Sequence, residues 1–319
     1  MENLSNVVHR TPLTTSMTFD RISGKRLYMK MENRQKTGAF KIRGATNKVY
    51  QLSAQDASKG VIAASAGNHA QGVAVAATKR GIPAKIFMPE GTPAVKAEAT
   101  RQYGAEAILA GASYQETYEA AVTEQERGGS TFIHAFDDPD VMSGQGTVAL
   151  EMLQQQPELD TILVPVGGGG LIAGIAVAIK TFRPDIRVIG VQTERASVVY
   201  NQYHQNGPSV LSKVDSIADG IAVKKCGSLT FPIICQYVDD VVTVSDEEIA
   251  SAVVLMLERE KTLVEGAGAA ALAAGLFQPQ YVRGRRCGVV VSGGNADMTS
   301  LPRIQKLAQE RMKEHLKTG

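Results

Sequence analysis

Four consecutive glycines, Gly167-Gly168-Gly169-Gly170, separate the apolar run Thr161 to Val166 from a second apolar stretch that begins at Leu171. Such a bend lets backbone N–H groups come close to an anion, and a helix starting there adds unpaired N–H groups and a positive partial charge. These residues are suited to cradle a phosphate. No Gly-Lys-Ser or Gly-Lys-Thr follows, so the bend is not a P-loop. It also satisfies G-x-G-x-x-A at Gly168, Gly170 and Ala173, with Glu194 near the end of the next apolar run, where an acid could bind a ribose. A dinucleotide site and a ligand-free turn both remain open on this motif alone.

Three further segments carry polar groups at comparable junctions. Ser65-Ala66-Gly67-Asn68-His69 has small residues that leave N–H groups accessible to a carboxylate, although Asn68 could equally be a helix cap. Ser292-Gly293-Gly294-Asn295 places a hydroxyl at the end of the apolar run Cys287 to Val291. In Gly38-Ala39-Phe40-Lys41-Ile42-Arg43-Gly44, Lys41 stands among apolar and small residues. There an amine loses ammonium stabilisation and becomes a usable nucleophile, whereas on an open surface it would be only a solvated charge. One amine, one phosphate cradle, one carboxylate turn and one strand-end hydroxyl together match the needs of pyridoxal 5′-phosphate (PLP). Other chemistries lack their motifs. The five histidines form no H-E-x-x-H, no Cys/His cluster has metal spacing, and no G-x-S-x-G is present.

The elements that must position these groups alternate in type. Strands are expected at Val61 to Ser65, Lys85 to Met88, Ala107 to Ala110 and Thr131 to Ala135, with helices at His69 to Arg80, Pro93 to Tyr103 and Tyr114 to Arg127. Pro93 suits a first helical turn. A second series follows, with strands Thr161 to Val166, Arg187 to Gln192, Val241 to Ser245 and Cys287 to Ser292. Its helices are Leu171 to Phe182, Asp246 to Arg259, Gly268 to Phe277 and a charged one from Leu301 to Leu316. Ser245 and Glu248 have capping-box spacing. The pattern is that of an α/β protein with two doubly wound lobes.

With 319 residues, 44% of them apolar and 21% charged, the chain can bury roughly 75% of its unfolded surface. The 34 basic and 32 acidic residues give a formal charge of +2 with no basic stripe, which argues against a nucleic-acid partner. No apolar run reaches membrane-spanning length, and Met1 to Asp20 shows no leader pattern. Cys226, Cys235 and Cys287 form no C-x-x-C pair, so a reducing cytoplasm is expected. The stretch after Asn295 is shorter than the roughly 60 residues a four-strand, two-helix regulatory module would take, and no such domain is expected.

Taken together, Gly38 to Ala45, Ser65-Ala66-Gly67-Asn68-His69-Ala70-Gln71-Gly72, Gly167 to Gly174 and Ser292 to Asn295 resemble the serine/threonine dehydratases, which are fold type II, tryptophan synthase β-like PLP enzymes. The likeness runs from about Arg10 to Asn295 and is nearest to the short threonine ammonia-lyases, which lack a C-terminal regulatory domain. It implies that Lys41 carries the cofactor and later acts as base at Cα, with Phe40 beside the ring. It also implies that Asn68 bonds the cofactor 3′-oxygen, that Gly167, Gly168, Gly169, Gly170 and Leu171 hold the phosphate, and that Ser292 meets the pyridine nitrogen. Ser65, Ala66, Gly67, Asn68 and His69 would grip the substrate carboxylate. A smaller lobe, residues 49–138, would be inserted in a larger one formed by 1–48 and 139–319.

The implied reaction turns L-threonine into 2-oxobutanoate and ammonia, and L-serine into pyruvate. The implied assembly is a homodimer or homotetramer. Related serine racemases carry a serine where Ala66 stands, so little racemisation is expected. Metal-dependent relatives place carboxylates at the positions of Gln192 and Val198, so no metal is expected, although Glu194 lies close by in sequence. The open alternatives are a serine racemase, a 3-hydroxyaspartate dehydratase or a β-replacement synthase of the same fold. From other classes come a nicotinamide-dependent oxidoreductase using Gly168, Gly170, Ala173 and Glu194, and a catalytically silent amino-acid-binding protein.

Overall fold

The computed structural model describes the backbone of residues 4–318 and the side chains up to Arg311. The stretch Met1 to Asp20, expected to hold no leader, includes residues 1–3, which lie outside the described residues. Among the described residues the strands are β1 (Leu13–Thr15), β2 (Arg26–Met31), β3 (Val61–Ala64), β4 (Ala84–Met88), β5 (Glu106–Leu109), β6 (Thr131–Phe132), β7 (Thr161–Pro165), β8 (Arg187–Thr193), β9 (Asp240–Val244) and β10 (Arg286–Val291). The chain divides into two compact units, one of residues up to His9 with Gln35–Gln145, the other of Arg10–Arg34 with the chain from Gly146 onward. Each contains a largely parallel sheet and its helices, the α/β class expected from the alternation.

In the first unit the strand order is β5-β4-β3-β6, with every pair parallel. All four residues of β3 are buried, as a parallel strand covered on both faces requires. The helix Asn68–Arg80 returns from the end of β3 and stops at Gly81, whose φ of 73° needs a glycine. Pro93 takes the N-cap position before the helix Ala94–Gln102 rather than a place in its first turn. β6 is shorter than the expected Thr131 to Ala135. After the Ile133 N–H bonds Ile62, the Ile133 and Ala135 carbonyls accept from side chains instead of a neighbouring strand.

In the second unit the order is β1-β2-β10-β7-β8-β9, antiparallel only at β1–β2. The capping box of Ser245 and Glu248 is present, in both directions. The core is organised around the helix Gly266–Phe277, whose sequence GAGAAALAAGLF lets it lie close to the strands. A Cβ on Gly268 would stand 2.1 Å from the Gly293 carbonyl oxygen, so this helix presses directly on the turn after β10. In Gly268→Ala, that backbone overlap outweighs the ~1 kcal/mol that alanine returns in helix propensity. A net loss of about 1–3 kcal/mol is expected in urea unfolding, and an unchanged midpoint would contradict this packing.

Candidate active site

In the first unit, the helix Lys41–Gln51 begins at the candidate amine. The Lys41 Nζ donates to the Ala135 carbonyl at 2.8 Å and lies 5.3 Å from the centre of the Phe40 ring. The segment after Ala135 is fastened to the same helix. Asn47 donates to the Asp140 carbonyl at 2.7 Å, and Lys48 reaches Asp138 and Asp140 at 2.9 Å each. Gly72, in the helix Asn68–Arg80, meets the start of the lysine helix backbone to backbone. A Cβ there would be 3.1 Å from the Ile42 Cα and from the Lys41 carbonyl carbon. This contact sets the amine against the turn from Ser65 to His69, which opens the Asn68 helix.

That turn offers N–H groups with little competition. Gly67 holds the N-cap position, and no side chain caps the helix. The Gly67 N–H donates to Ser65 Oγ at 3.2 Å, while Ser65, Ala66, Gly67 and Asn68 are half-buried. His69 is buried and its Nε2 lies 2.7 Å from the Ile133 carbonyl. A carbonyl can only accept, so the ring proton sits on Nε2, and the buried Nδ1 has no hydrogen-bond partner. Burial, with the positive charge of Lys41 beside it, pushes His69 down to about 3. His134 is also pushed below its ordinary value, first by burial and further by Lys41, against the opposing pull of Asp137. Its Nδ1 accepts the N–H groups of Phe136 and Asp137.

In the second unit, β7 ends at Pro165 and the helix Gly170–Phe182 follows the glycine bend. Gly169 holds the N-cap with φ 97° and provides no side chain, so the N–H groups of Gly169, Gly170, Leu171 and Ile172 have no partner within the helix. The bend is packed from behind: a Cβ on Gly167 would lie 3.1 Å from the Ile221 Cα, and one on Gly169 would lie 2.7 Å from Thr230 Oγ1. Ser292 is buried just after β10 and donates to the Ala267 carbonyl at 3.3 Å.

Gln192, one of the two positions where no metal ligand is expected, is committed elsewhere. Its Oε1 accepts the Val199 and Tyr200 N–H groups at 2.9 Å, and its Nε2 donates to Val166 at 3.3 Å. Val198 is buried. Glu194 is exposed, and its carboxyl is held above the ordinary value by partial burial and by the nearby acids Glu248, Glu247 and Asp246. Among the described residues, no three His, Cys, Asp or Glu side chains are grouped as a metal would need.

The residues present fit PLP. An uncapped helix start behind four glycines suits a dianionic phosphate, a half-buried amine suits the aldehyde, and the uncapped turn from Ser65 suits an amino-acid carboxylate. Fold and residues thus define a PLP-dependent enzyme. A family profile described as "Pyridoxal-phosphate dependent enzyme" matches residues 4–293. An L-threonine ammonia-lyase of Thermotoga maritima is 49% identical over 94% of this chain, which spans 75% of that protein. The processed threonine deaminase isoform 2 of Solanum lycopersicum superposes with a TM-score of 0.92 at 35% identity, over 96% of this chain and 85% of the other. Maize serine racemase gives 0.89 at 40% identity, over 96% and 95%. The chain belongs to the pyridoxal-phosphate dependent enzyme family.

Sequence reading did not find the Ile133 and Ala135 carbonyls, His134 or Thr230. Backbone acceptors carry no side-chain signature, and Thr230 lies some 60 residues beyond the bend it supports. His69 yields a pH prediction. The unfolded imidazole takes its proton near 6.5 and the folded one near 3, so the unfolded state binds the extra proton between these values. Stability therefore falls as pH drops through that window, at up to roughly 1.4 kcal/mol per pH unit. His69→Gln keeps a donor for Ile133 and cannot titrate. Denaturant unfolding at about pH 6.5 and 5 should show a smaller loss for the variant, and equal losses would rule out His69 as the source of the pH dependence.

Proposed function

We propose that the protein is an L-threonine and L-serine ammonia-lyase that releases 2-oxobutanoate or pyruvate together with ammonia. The reading is carried chiefly by one observation: the Lys41 amine and the turn from Ser65 to His69 are built on two helices in backbone contact at Gly72. A base and a carboxylate site held rigidly to one another select which bond at Cα meets the base. PLP, when bound, supplies an electron-withdrawing ring that makes that Cα–H bond acidic.

Lys41 would hold the cofactor through its amine, which would also serve as the base at Cα. The N–H groups of the 65–69 turn would fix the carboxylate, and Asn68 would bond the cofactor 3′-oxygen. Gly167 to Gly170 with Leu171 would hold the phosphate, and Phe40 would lie beside the ring. Ser292 is uncharged, so it does little to keep a proton on the pyridine nitrogen. An uncharged partner at this position would leave the ring a weaker electron sink. The functional division assigned is residues 49–138 as the smaller lobe and 1–48 with 139–319 as the larger. The cytoplasm is the proposed location, in keeping with a sequence whose three cysteines form no C-x-x-C pair, and a homodimer or homotetramer is the proposed assembly. No helix among the described residues is long and apolar enough to cross a membrane.

Borohydride reduction of PLP-loaded protein should leave a pyridoxyl group on Lys41 in peptide mass mapping. Lys41→Ala should lower oxo-acid release from L-threonine by at least about 10²–10⁴-fold, the usual share of a positioned acid–base group. Absence of oxo acid from both amino acids with the intact protein would refute the assignment.

Serine racemisation is the second reading, favoured by the likeness to the maize enzyme. It needs an acid–base group opposite the lysine, where Ala66 presents a methyl that cannot move a proton. Chiral chromatography of an L-serine incubation should therefore show pyruvate with little D-serine. Comparable amounts of both would favour the racemase.

A further inference from the structure

We infer that Thr230 is a positioning residue for the cofactor phosphate, acting through the Gly168 carbonyl, with Cys226 in a weaker supporting role. The inference rests on the assignment of the glycine bend to the phosphate and concerns residues to which the family motifs assign nothing.

Three donors from one short segment converge on a single oxygen. Thr230 Oγ1 donates to the Gly168 carbonyl at 2.7 Å, the Gly227 N–H at 3.2 Å and the Cys226 thiol at 3.6 Å. Thr230 and Cys226 are also in mutual contact, Sγ to Oγ1, at 3.5 Å. Thr230 is fully buried and opens the helix Thr230–Tyr237, which packs against the helix Gly170–Phe182.

The peptide joining Gly168 to Gly169 is trans, as are the others among the described residues. Across a trans peptide the carbonyl and the next N–H point in opposite directions. Holding the Gly168 oxygen toward Thr230 therefore turns the Gly169 N–H to the other side of the bend, toward the phosphate. Flipped over, the same peptide would aim a carbonyl oxygen at an anion.

Glycine backbone does not choose between these orientations, because residues without Cβ enter either conformation at little cost. The choice comes from the donors behind the bend. Gly169 lies so close on them that a Cβ would be 2.7 Å from Thr230 Oγ1 and 2.9 Å from Ile234 Cδ1. The bend and its support are thus fitted to one another, and the threonine hydroxyl makes the shortest of the three bonds.

The test compares two ligands on apoprotein. Wild type and the variants Thr230→Val, Thr230→Ser and Thr230→Ala are titrated with PLP and with pyridoxal, which has the same ring and aldehyde but no phosphate, by absorbance of the bound chromophore. Thr230→Val should bind PLP about five- to tenfold more weakly, the worth of one ordinary hydrogen bond, with pyridoxal affinity unchanged. Thr230→Ser should match wild type, and Cys226→Ala should lose less than Thr230→Val because a thiol is a poor donor.

Equal PLP affinity for wild type and Thr230→Val would overturn the inference, as would an equal loss for pyridoxal or a Ser variant as weak as the Val variant. Should Thr230→Val not fold, the Ser and Ala variants lose the same methyl and differ only in the hydroxyl, so tighter PLP binding by Ser than by Ala supports the inference and equal binding overturns it. A wild type that fails to prefer PLP over pyridoxal would instead overturn the phosphate assignment and the inference with it.

Discussion

The first N–H groups of a helix cannot be satisfied within that helix, and the arrangement of both glycine-containing turns depends on this. Three helix starts meet the demand locally, with Ser53 accepting from Asp56, Ser113 from Glu116 and Ser245 from Glu248. At the ends of β3 and β7 the cap positions are held by Gly67 and Gly169, which have no side chain to give. No side chain caps either helix start, so none competes there with an approaching anion. Parallel strands bring helix starts to one edge of each sheet, so the same topology that buries β3 and β7 also creates the two turns.

Charge is controlled with equal care around the amine. Lys41, His69 and His134 are close enough to influence one another, and three positive charges in a half-buried setting would repel. Burial holds both imidazoles below their ordinary proton affinity. The tautomers are fixed by backbone: Ile133 takes the His69 Nε2 proton, and the Phe136 and Asp137 N–H groups occupy His134 Nδ1. Neither imidazole therefore adds a second charge beside the amine at neutral pH.

Much of this architecture was legible in the sequence because apolar strands and Ala-rich helices alternate with small turn residues between them. The parts that were not legible have physical reasons. β2, RLYMKM, holds the buried Lys30, whose charge is paired with Glu151 at 2.6 Å by a contact remote in sequence, so it does not read as a core strand. The helix Lys41–Gln51 carries Gly44, and Pro139–Gln155 carries Gly144 and Gly146, residues that weaken a helical reading. Those glycines are where backbones meet: a Cβ on Gly44 would strike the Val141 carbonyl, and one on Gly144 would strike the Arg43 carbonyl. The motif residues Lys41, Asn68, Gly167 to Gly170 and Ser292 were readable by type. Their supports, which are carbonyls and the hydroxyl of a distant helix, were not.

The brevity of β6 has one more consequence. Two acceptors spaced two residues apart, on Ile133 and Ala135, serve an imidazole and an amine, while the strand that feeds them is matched to β3 at only Thr131 and Phe132. Successive residues of an extended chain face opposite ways, so a single-residue slip of this run would turn both oxygens aside together. The segment therefore works as a gauge of length: replacement of its side chains leaves the spacing intact, whereas one residue inserted between Phe132 and Ile133 displaces both acceptors in one event.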